Sequence, residues 1–140
     1  MKNAKNGIFI RYLKSLYDKK LAALAEHSCI SAKLCGEYPY ISELFEGLLE
    51  SDLYSLGCLC KLLCALGVDS ALDTRIRRRA CRGDSIDAIV AAVLEELRGE
   101  IDALERIHSL TDDASICDTV EKMRLEISEN IKVFERILQS

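Results

Sequence analysis

The apolar residues between positions 40 and 67 recur every three or four residues, which is the spacing of one buried helix face. They are Ile41, Phe45, Leu48, Leu56, Leu59, Leu63 and Leu66. Between Leu48 and Leu56 the repeat falls on Asp52, with Ser55 one turn further along the same side. A carboxylate at a core position indicates either a distorted helix or a helix built around a polar site.

The same spacing predicts three more helices, so that the four cover residues 7–34, 40–66, 85–108 and 112–138. The apolar stripes of the first, third and fourth helices are Ile10, Leu13, Tyr17, Leu21, Leu24 and Ile30, then Ile86, Val90, Val93, Leu97, Ile101 and Leu104, and finally Val120, Met123, Ile127, Ile131, Phe134 and Leu138.

Short turns around Pro39 and before residue 112 make each pair of consecutive helices an antiparallel hairpin. The connection over residues 66–85 is long enough to cross a bundle, since about 18 extended residues reach roughly 59 Å and the second helix is only about 39 Å long. We therefore predict an all-α four-helix bundle, with two antiparallel hairpins joined by a long crossover, forming one domain over residues 1–140.

The composition agrees with a soluble helical protein, because 49% of the 140 residues are hydrophobic, 30% are charged and only 6% are aromatic. A net charge of −4 argues against nucleic-acid and membrane-surface binding, which require positive charge. No apolar run reaches the roughly 18 residues of a membrane span, and the first residues lack a signal-peptide core. We expect a cytoplasmic protein.

Seven cysteines are many for this length, but their number is odd and no C-x-x-C pair occurs. Cys58, Cys60 and Cys64 share the second helix, where a disulfide is geometrically poor. We interpret them as reduced core residues, with a soft-metal or redox cluster as the alternative. His27 lies at the margin of the first stripe and is expected to be a hydrogen-bonded boundary residue.

One strongly basic segment stands in this acidic chain, within the long connection. It contains Arg75, Arg77, Arg78, Arg79 and Arg82. We interpret it as a solvated strap that pairs with acidic helix faces. The alternative is an anion or partner site, because guanidinium groups bind carboxylate and phosphate bidentately.

Residues 48–69, LLESDLYSLGCLCKLLCALGVD, resemble the second helix of rubrerythrin-like proteins of the ferritin-like superfamily. In that family a Glu-x-x-His pair precedes an apolar run that ends in Leu-Gly and an acidic residue. The resemblance places the family's Glu on Asp52, its His on Ser55 and the preceding helix's Glu close to Lys19. It therefore implies a ferritin-like scaffold whose dinuclear metal site has been lost.

On this resemblance Asp52 points between the helices, and its expected partners are Ser55 and a lysine of the first helix, Lys19 or Lys20. A salt bridge would then fill the space of the metals. Asp52→Asn should be tolerated or mildly destabilising, whereas Asp52→Ala should cost roughly 1–3 kcal/mol by stranding the hydrogen-bond partners.

The leading functional hypothesis is a non-enzymatic bundle, without catalytic residues or cofactor, that acts by self-association, as a dimer, or by binding a protein partner. Its basis is the missing ligand set together with apolar residues beside the core stripes, which indicate an interface. These are Ile8, Ile10, Leu49, Leu53, Tyr54 and Leu62.

The alternative is a metal-binding protein or oxidoreductase with an irregular iron or manganese site, since carboxylates bind hard cations. Its ligands would be Asp52, Glu96, Glu100, Glu126 and Glu129, with His27.

Overall fold

A computed structural model describes the backbone of residues 2–68 and 85–139, and the side chains of residues 7–68 and 85–139. These residues form four helices and no strand: α1 Lys2–Leu34, α2 Pro39–Ala65, α3 Ile86–Ser109 and α4 Ala114–Gln139. The all-α prediction is confirmed, and each helix boundary lies within two residues of its predicted place except the start of α1, which is five residues earlier. The predicted crossover and its five arginines lie outside the described residues.

The ends of the helices follow from local sequence. Pro39 occupies the first turn of α2, where its missing N–H costs no hydrogen bond. Gly67 ends that helix with φ of 75°, and the N–H groups of Gly67 and Val68 donate to the carbonyls of Cys64 and Leu63 at 3.0 and 2.9 Å. This Schellman arrangement requires the left-handed backbone that glycine adopts without strain.

The two later helices begin at side-chain caps. Ser85 Oγ accepts a hydrogen bond from the Ala88 N–H at 3.2 Å at the start of α3. Asp113 Oδ1 accepts from the N–H groups of Ser115 and Ile116 at 2.9 and 3.2 Å at the start of α4. Serine and aspartate are preferred at this position because their side-chain oxygen satisfies an N–H group of the first turn.

The chain divides into two compact units, residues 13–82 and residues 1–12 with 83–140. In the first unit, α1 and α2 are antiparallel, because Ser31 lies beside Ser42 and His27 beside Phe45. In the second unit, α3 and α4 are antiparallel, because Ala91 near the start of α3 and Leu138 at the end of α4 line one shallow depression. Both predicted hairpins are therefore present.

The buried face of α2 is the predicted one, except that Ile41 and Leu66 are only half-buried. On α1 the prediction was half right: Leu13, Tyr17 and Ile30 are buried, whereas Ile10, Leu21 and Leu24 are half-buried. The buried α1 residues are Phe9, Leu13, Leu16, Tyr17, Lys20, Ala23, His27, Ile30 and Ser31. This repeat of threes and fours passes through three polar residues, Lys20, His27 and Ser31, so apolar character alone selected a stripe that is partly displaced from it.

In α3 and α4 most residues of the predicted stripe are buried, with four exceptions. Ile86, Ile101 and Ile131 are half-buried and Leu138 is exposed. The cysteine prediction was right about free thiols but wrong about the core position: Cys29, Cys35 and Cys64 are exposed, and Cys58, Cys60 and Cys117 are half-buried. All six are free thiols outside the core, and Cys81 lies outside the described residues.

Candidate functional site

The centre of the α1–α2 unit holds three charged or titratable side chains in contact, which we call the polar cluster: Lys20, His27 and Asp52. Asp52 Oδ1 lies 2.8 Å from Lys20 Nζ, and Asp52 Oδ2 lies 2.6 Å from His27 Nδ1. The three side chains are 2%, 1% and 0% exposed, respectively. Water therefore does not reach these charges, and the protein must solvate them itself.

The register of the hairpin brings these residues together. Three contacting pairs of α1 and α2 have residue numbers that add up to 72 or 73: His27 with Phe45, Ser31 with Ser42 and Lys20 with Asp52. The His27–Asp52 contact, whose numbers add up to 79, joins residues about two turns out of this register. Lys20 and His27 are seven residues apart, so they lie two turns apart on the same side of α1. Asp52 lies between them on α2 and contacts both.

The hydrogen-bond chemistry of a carboxylate settles the tautomer of the imidazole. An ionised carboxylate can only accept, so the 2.6 Å contact requires a proton on His27 Nδ1, which donates to Asp52 Oδ2. The Lys20 contact with Oδ1 is a close ion pair rather than an aligned hydrogen bond. With a neutral imidazole the cluster carries one positive and one negative charge and is neutral overall.

Two of the predictions for this site were partly right. Asp52 does pair with a lysine of α1, which is Lys20, whereas Lys19 is exposed. Ser55 is not its second partner, since Ser55 Oγ is buried and has no hydrogen-bond partner among the described residues. The second partner is His27, which is fully buried rather than marginal, although it is hydrogen-bonded as expected.

The carboxylates that the sequence proposed on α3 and α4 differ in burial. Glu100 is buried, Glu96 and Glu126 are half-buried, and Glu129 is exposed with Lys132 Nζ 3.2 Å from its Oε1. Over residues 2–68 and 85–139 no group of three or more His, Cys, Asp or Glu side chains is placed to hold a metal ion.

The donor set around Asp52 also does not fit a di-iron or di-manganese centre. A ligating carboxylate directs its lone pairs at the metal, and here the Lys20 ammonium lies against Oδ1 and the His27 N–H against Oδ2. A cation at either oxygen would have to displace one of these groups, and it would meet the positive charge of Lys20. Each oxygen of Asp52 therefore already faces a cation or a hydrogen-bond donor of α1.

The surface of the described residues carries several of the apolar side chains that the sequence indicated. Ile8, Leu53 and Tyr54 are 44%, 59% and 42% exposed. The other three, Ile10, Leu49 and Leu62, are half-buried. Within the described residues no helix is both long and apolar enough to pass through a bilayer.

Comparison with models of protein families gives no match, and comparison with curated protein sequences gives none either. Among solved structures, the chain is similar to a ferritin-like, diiron-carboxylate protein from Bacillus anthracis strain Ames. The similarity has a TM-score of 0.84 and 14% sequence identity, and covers 96% of this chain and 97% of the other. An identity this low establishes the fold alone, and the chain has the ferritin-like, all-α four-helix fold.

Proposed function

We propose that this protein is a non-catalytic ferritin-like bundle that acts by self-association or by binding a partner, and that an internal ion pair replaces the family's dinuclear metal centre. One observation carries the proposal: Lys20 Nζ lies 2.8 Å from Asp52 Oδ1 in a site closed to water. A lysine there supplies the positive charge that a carboxylate in the core requires.

The arrangement of the cluster supports a structural rather than a catalytic role. Both oxygens of Asp52 are engaged, and all three side chains are at most 2% exposed. A general base or nucleophile must come within hydrogen-bond reach of a substrate, which a closed cluster does not allow. The six free cysteines, three of them exposed, suit a reducing compartment such as the cytoplasm.

A second candidate function is metal binding or oxidoreduction at an atypical carboxylate-rich site with iron or manganese. It is favoured by the description of the similar structure as a diiron-carboxylate protein and by the burial of Glu100 at 6% exposure. The proposed ligands range from buried to exposed, which weighs against this candidate. The ligands of one metal centre must converge within a few ångströms and therefore share one environment.

Elemental analysis separates the two candidates. The protein is purified without chelator from cells grown with added iron and manganese, beside Asp52→Asn and the control Asp102→Asn, whose side chain is exposed on α3. We expect all three proteins to carry far less than one metal ion per chain and not to differ. Near-stoichiometric iron or manganese that falls in Asp52→Asn alone would contradict the proposal.

A further inference from the structure

The outward side of α2 carries an exposed stripe that is mostly apolar. We call it the α2 face and define it by Glu50, Leu53, Tyr54, Gly57 and Lys61. All five residues are exposed, and the two large apolar ones, Leu53 and Tyr54, are 59% and 42% exposed. Among the exposed residues from 50 to 65, the charged ones are Glu50 and Lys61.

The spacing of these residues puts four of them in one line. Glu50, Tyr54, Gly57 and Lys61 follow each other at intervals of four, three and four residues, which keeps them on one side of a helix. The line is about 16 Å long at about 1.5 Å per residue. It has a negative charge at one end, a positive charge at the other, and an aromatic ring and a glycine between them.

The order of these four residues makes the line complementary to an antiparallel copy of itself. Beside a second, antiparallel copy of α2, Glu50 of each chain faces Lys61 of the other, and Tyr54 of each faces Gly57 of the other. A two-fold axis between Tyr54 and Gly57 generates both pairs twice, which is the isologous contact of a symmetric dimer. A parallel arrangement would instead place Glu50 beside Glu50 and Lys61 beside Lys61, and like charges oppose it.

The space above Gly57 also suits an antiparallel partner. A Cβ atom built on Gly57 would have no heavy atom within 4 Å, so the space above this residue is open. The missing side chain leaves room for a tyrosine ring of another chain, and small residues let packed helices approach closely. Within the described residues, neither Glu50 nor Lys61 forms an ion pair.

We propose that the α2 face is the contact surface of a homodimer, occupied by the antiparallel α2 of a second copy. This inference rests on the proposed function, of which it specifies the self-association and the residues that carry it. The line is short compared with a standard interface, so the dimer should dissociate in the micromolar range.

Charge reversal tests the pairing directly. Sedimentation equilibrium from about 1 µM to about 1 mM compares the wild type with Glu50→Lys, Lys61→Glu and the double variant. Each single change places two like-charge contacts in the dimer, so we expect its dissociation constant to rise about tenfold or more. The double variant restores both pairs in reversed order and should return to within about threefold of the wild type. The control Asp102→Lys, exposed on α3, should change nothing.

Gly57→Gln separates dimerisation from folding. Glutamine is a better helix former than glycine, and a Cβ atom at this position meets no heavy atom of its own chain within 4 Å, so the helix content should be kept or increased. The added side chain occupies the place of the Tyr54 ring of the second copy, so the dissociation constant should rise about tenfold or more.

Two results would overturn the inference, and they differ in what they leave standing. A wild type that is monomeric over the whole range removes the dimer and the self-association in the proposed function together. A wild-type oligomer that is insensitive to Glu50→Lys and Gly57→Gln leaves self-association in place but excludes the α2 face as its surface.

Discussion

Replacing Asp52 by alanine should destabilise the protein strongly, because it removes the carboxylate that faces two side chains at once. Asp52 lies 2.8 Å from Lys20 Nζ and 2.6 Å from His27 Nδ1. The side chains of Lys20 and Asp52 are 2% and 0% exposed, so water does not take the place of the carboxylate. Removing one partner of a buried ion pair costs about 3–5 kcal/mol, and we expect that loss in the free energy of unfolding.

This value exceeds the roughly 1–3 kcal/mol that the sequence suggested, because that figure counted only the stranded hydrogen bonds, although a lysine partner was already expected. The structure adds the cost of an ammonium group without its adjacent counter-charge. Asp52→Asn keeps a carbonyl oxygen that can accept from His27 Nδ1, so its cost should be smaller than that of alanine. It should still be clearly measurable, since the charge opposite Lys20 is lost.

A double-mutant cycle measures the interaction energy between Lys20 and Asp52 apart from the effect of changing each side chain alone. Lys20→Met alone leaves the Asp52 carboxylate in the core, and we expect a cost of the same order, about 3 kcal/mol. Lys20→Met with Asp52→Leu removes both charges and fills the space with apolar atoms, and the His27 N–H then loses its acceptor, at about 1–3 kcal/mol. The double variant should therefore be more stable than Asp52→Leu alone, and the cycle of Lys20→Met, Asp52→Leu and the double variant should give a coupling energy of at least about 2 kcal/mol.

Urea unfolding followed by far-UV circular dichroism at near-neutral pH measures these differences, provided that the slope with denaturant stays constant. A loss of 3–5 kcal/mol is a large part of the 5–15 kcal/mol typical of a domain, so the transition midpoint should move visibly. An Asp52→Ala variant that loses less than about 1 kcal/mol would refute the reasoning. So would costs that simply add in the double variant, since the pair would then not be coupled.

Four further predictions concern single side chains. Ser55→Ala should leave stability unchanged or raise it by up to about 1 kcal/mol, because the buried Ser55 Oγ has no hydrogen-bond partner among the described residues. Ser42→Ala, in the same helix, should cost about 1 kcal/mol in urea unfolding, because Ser42 Oγ donates to an α1 carbonyl at 2.9 Å. The Arg124 side chain, by hydrogen bonding to Glu121, lowers the pKa of that carboxyl, so Arg124→Gln should move its NMR titration up towards 4.5. Because the pKa of Glu121 is lower in the folded state, the pair makes a small contribution to stability that is fully present above the unfolded pKa. This contribution should be lost as the pH falls through the lower, folded pKa. Asp113→Ala should lower the free energy of unfolding by about 1 kcal/mol, because α4 loses its cap.

The helices and the α2 core stripe could be predicted because both depend on short-range spacing. Leu48, Leu56 and Leu59 fix the phase of the α2 repeat, and Asp52 became visible as the one gap in it. A break in a regular pattern is easy to see from sequence, and the structure confirms that the break marks the polar cluster.

The α1 side of the cluster could not be found in the same way. Leu21 and Leu24 form an apolar line directly beside the buried one, and they are half-buried because the stripe is wide. Consecutive residues of a helix are rotated by about 100°, so a stripe through Leu21 lies to one side of a stripe through Lys20. Apolar character alone favoured Leu21. A lysine and a histidine at core positions look like surface residues unless their partner is already known.

The hairpin register supplies the information that the apolar pattern lacks. Successive residues of two antiparallel helices advance by the same rise, so facing positions keep a nearly constant sum of residue numbers. The turn is flanked by Leu34 and Pro39, whose numbers add up to 73, and this sum places residue 21 level with Asp52. Lys20 is the cation nearest to that level on the inward side of α1, and its contact with Asp52 confirms the register. The core position of Asp52 on α2, combined with the turn between α1 and α2, thus predicts the level of its counter-charge on α1. Lys20 differs from its neighbour Lys19 in lying on the buried face of α1.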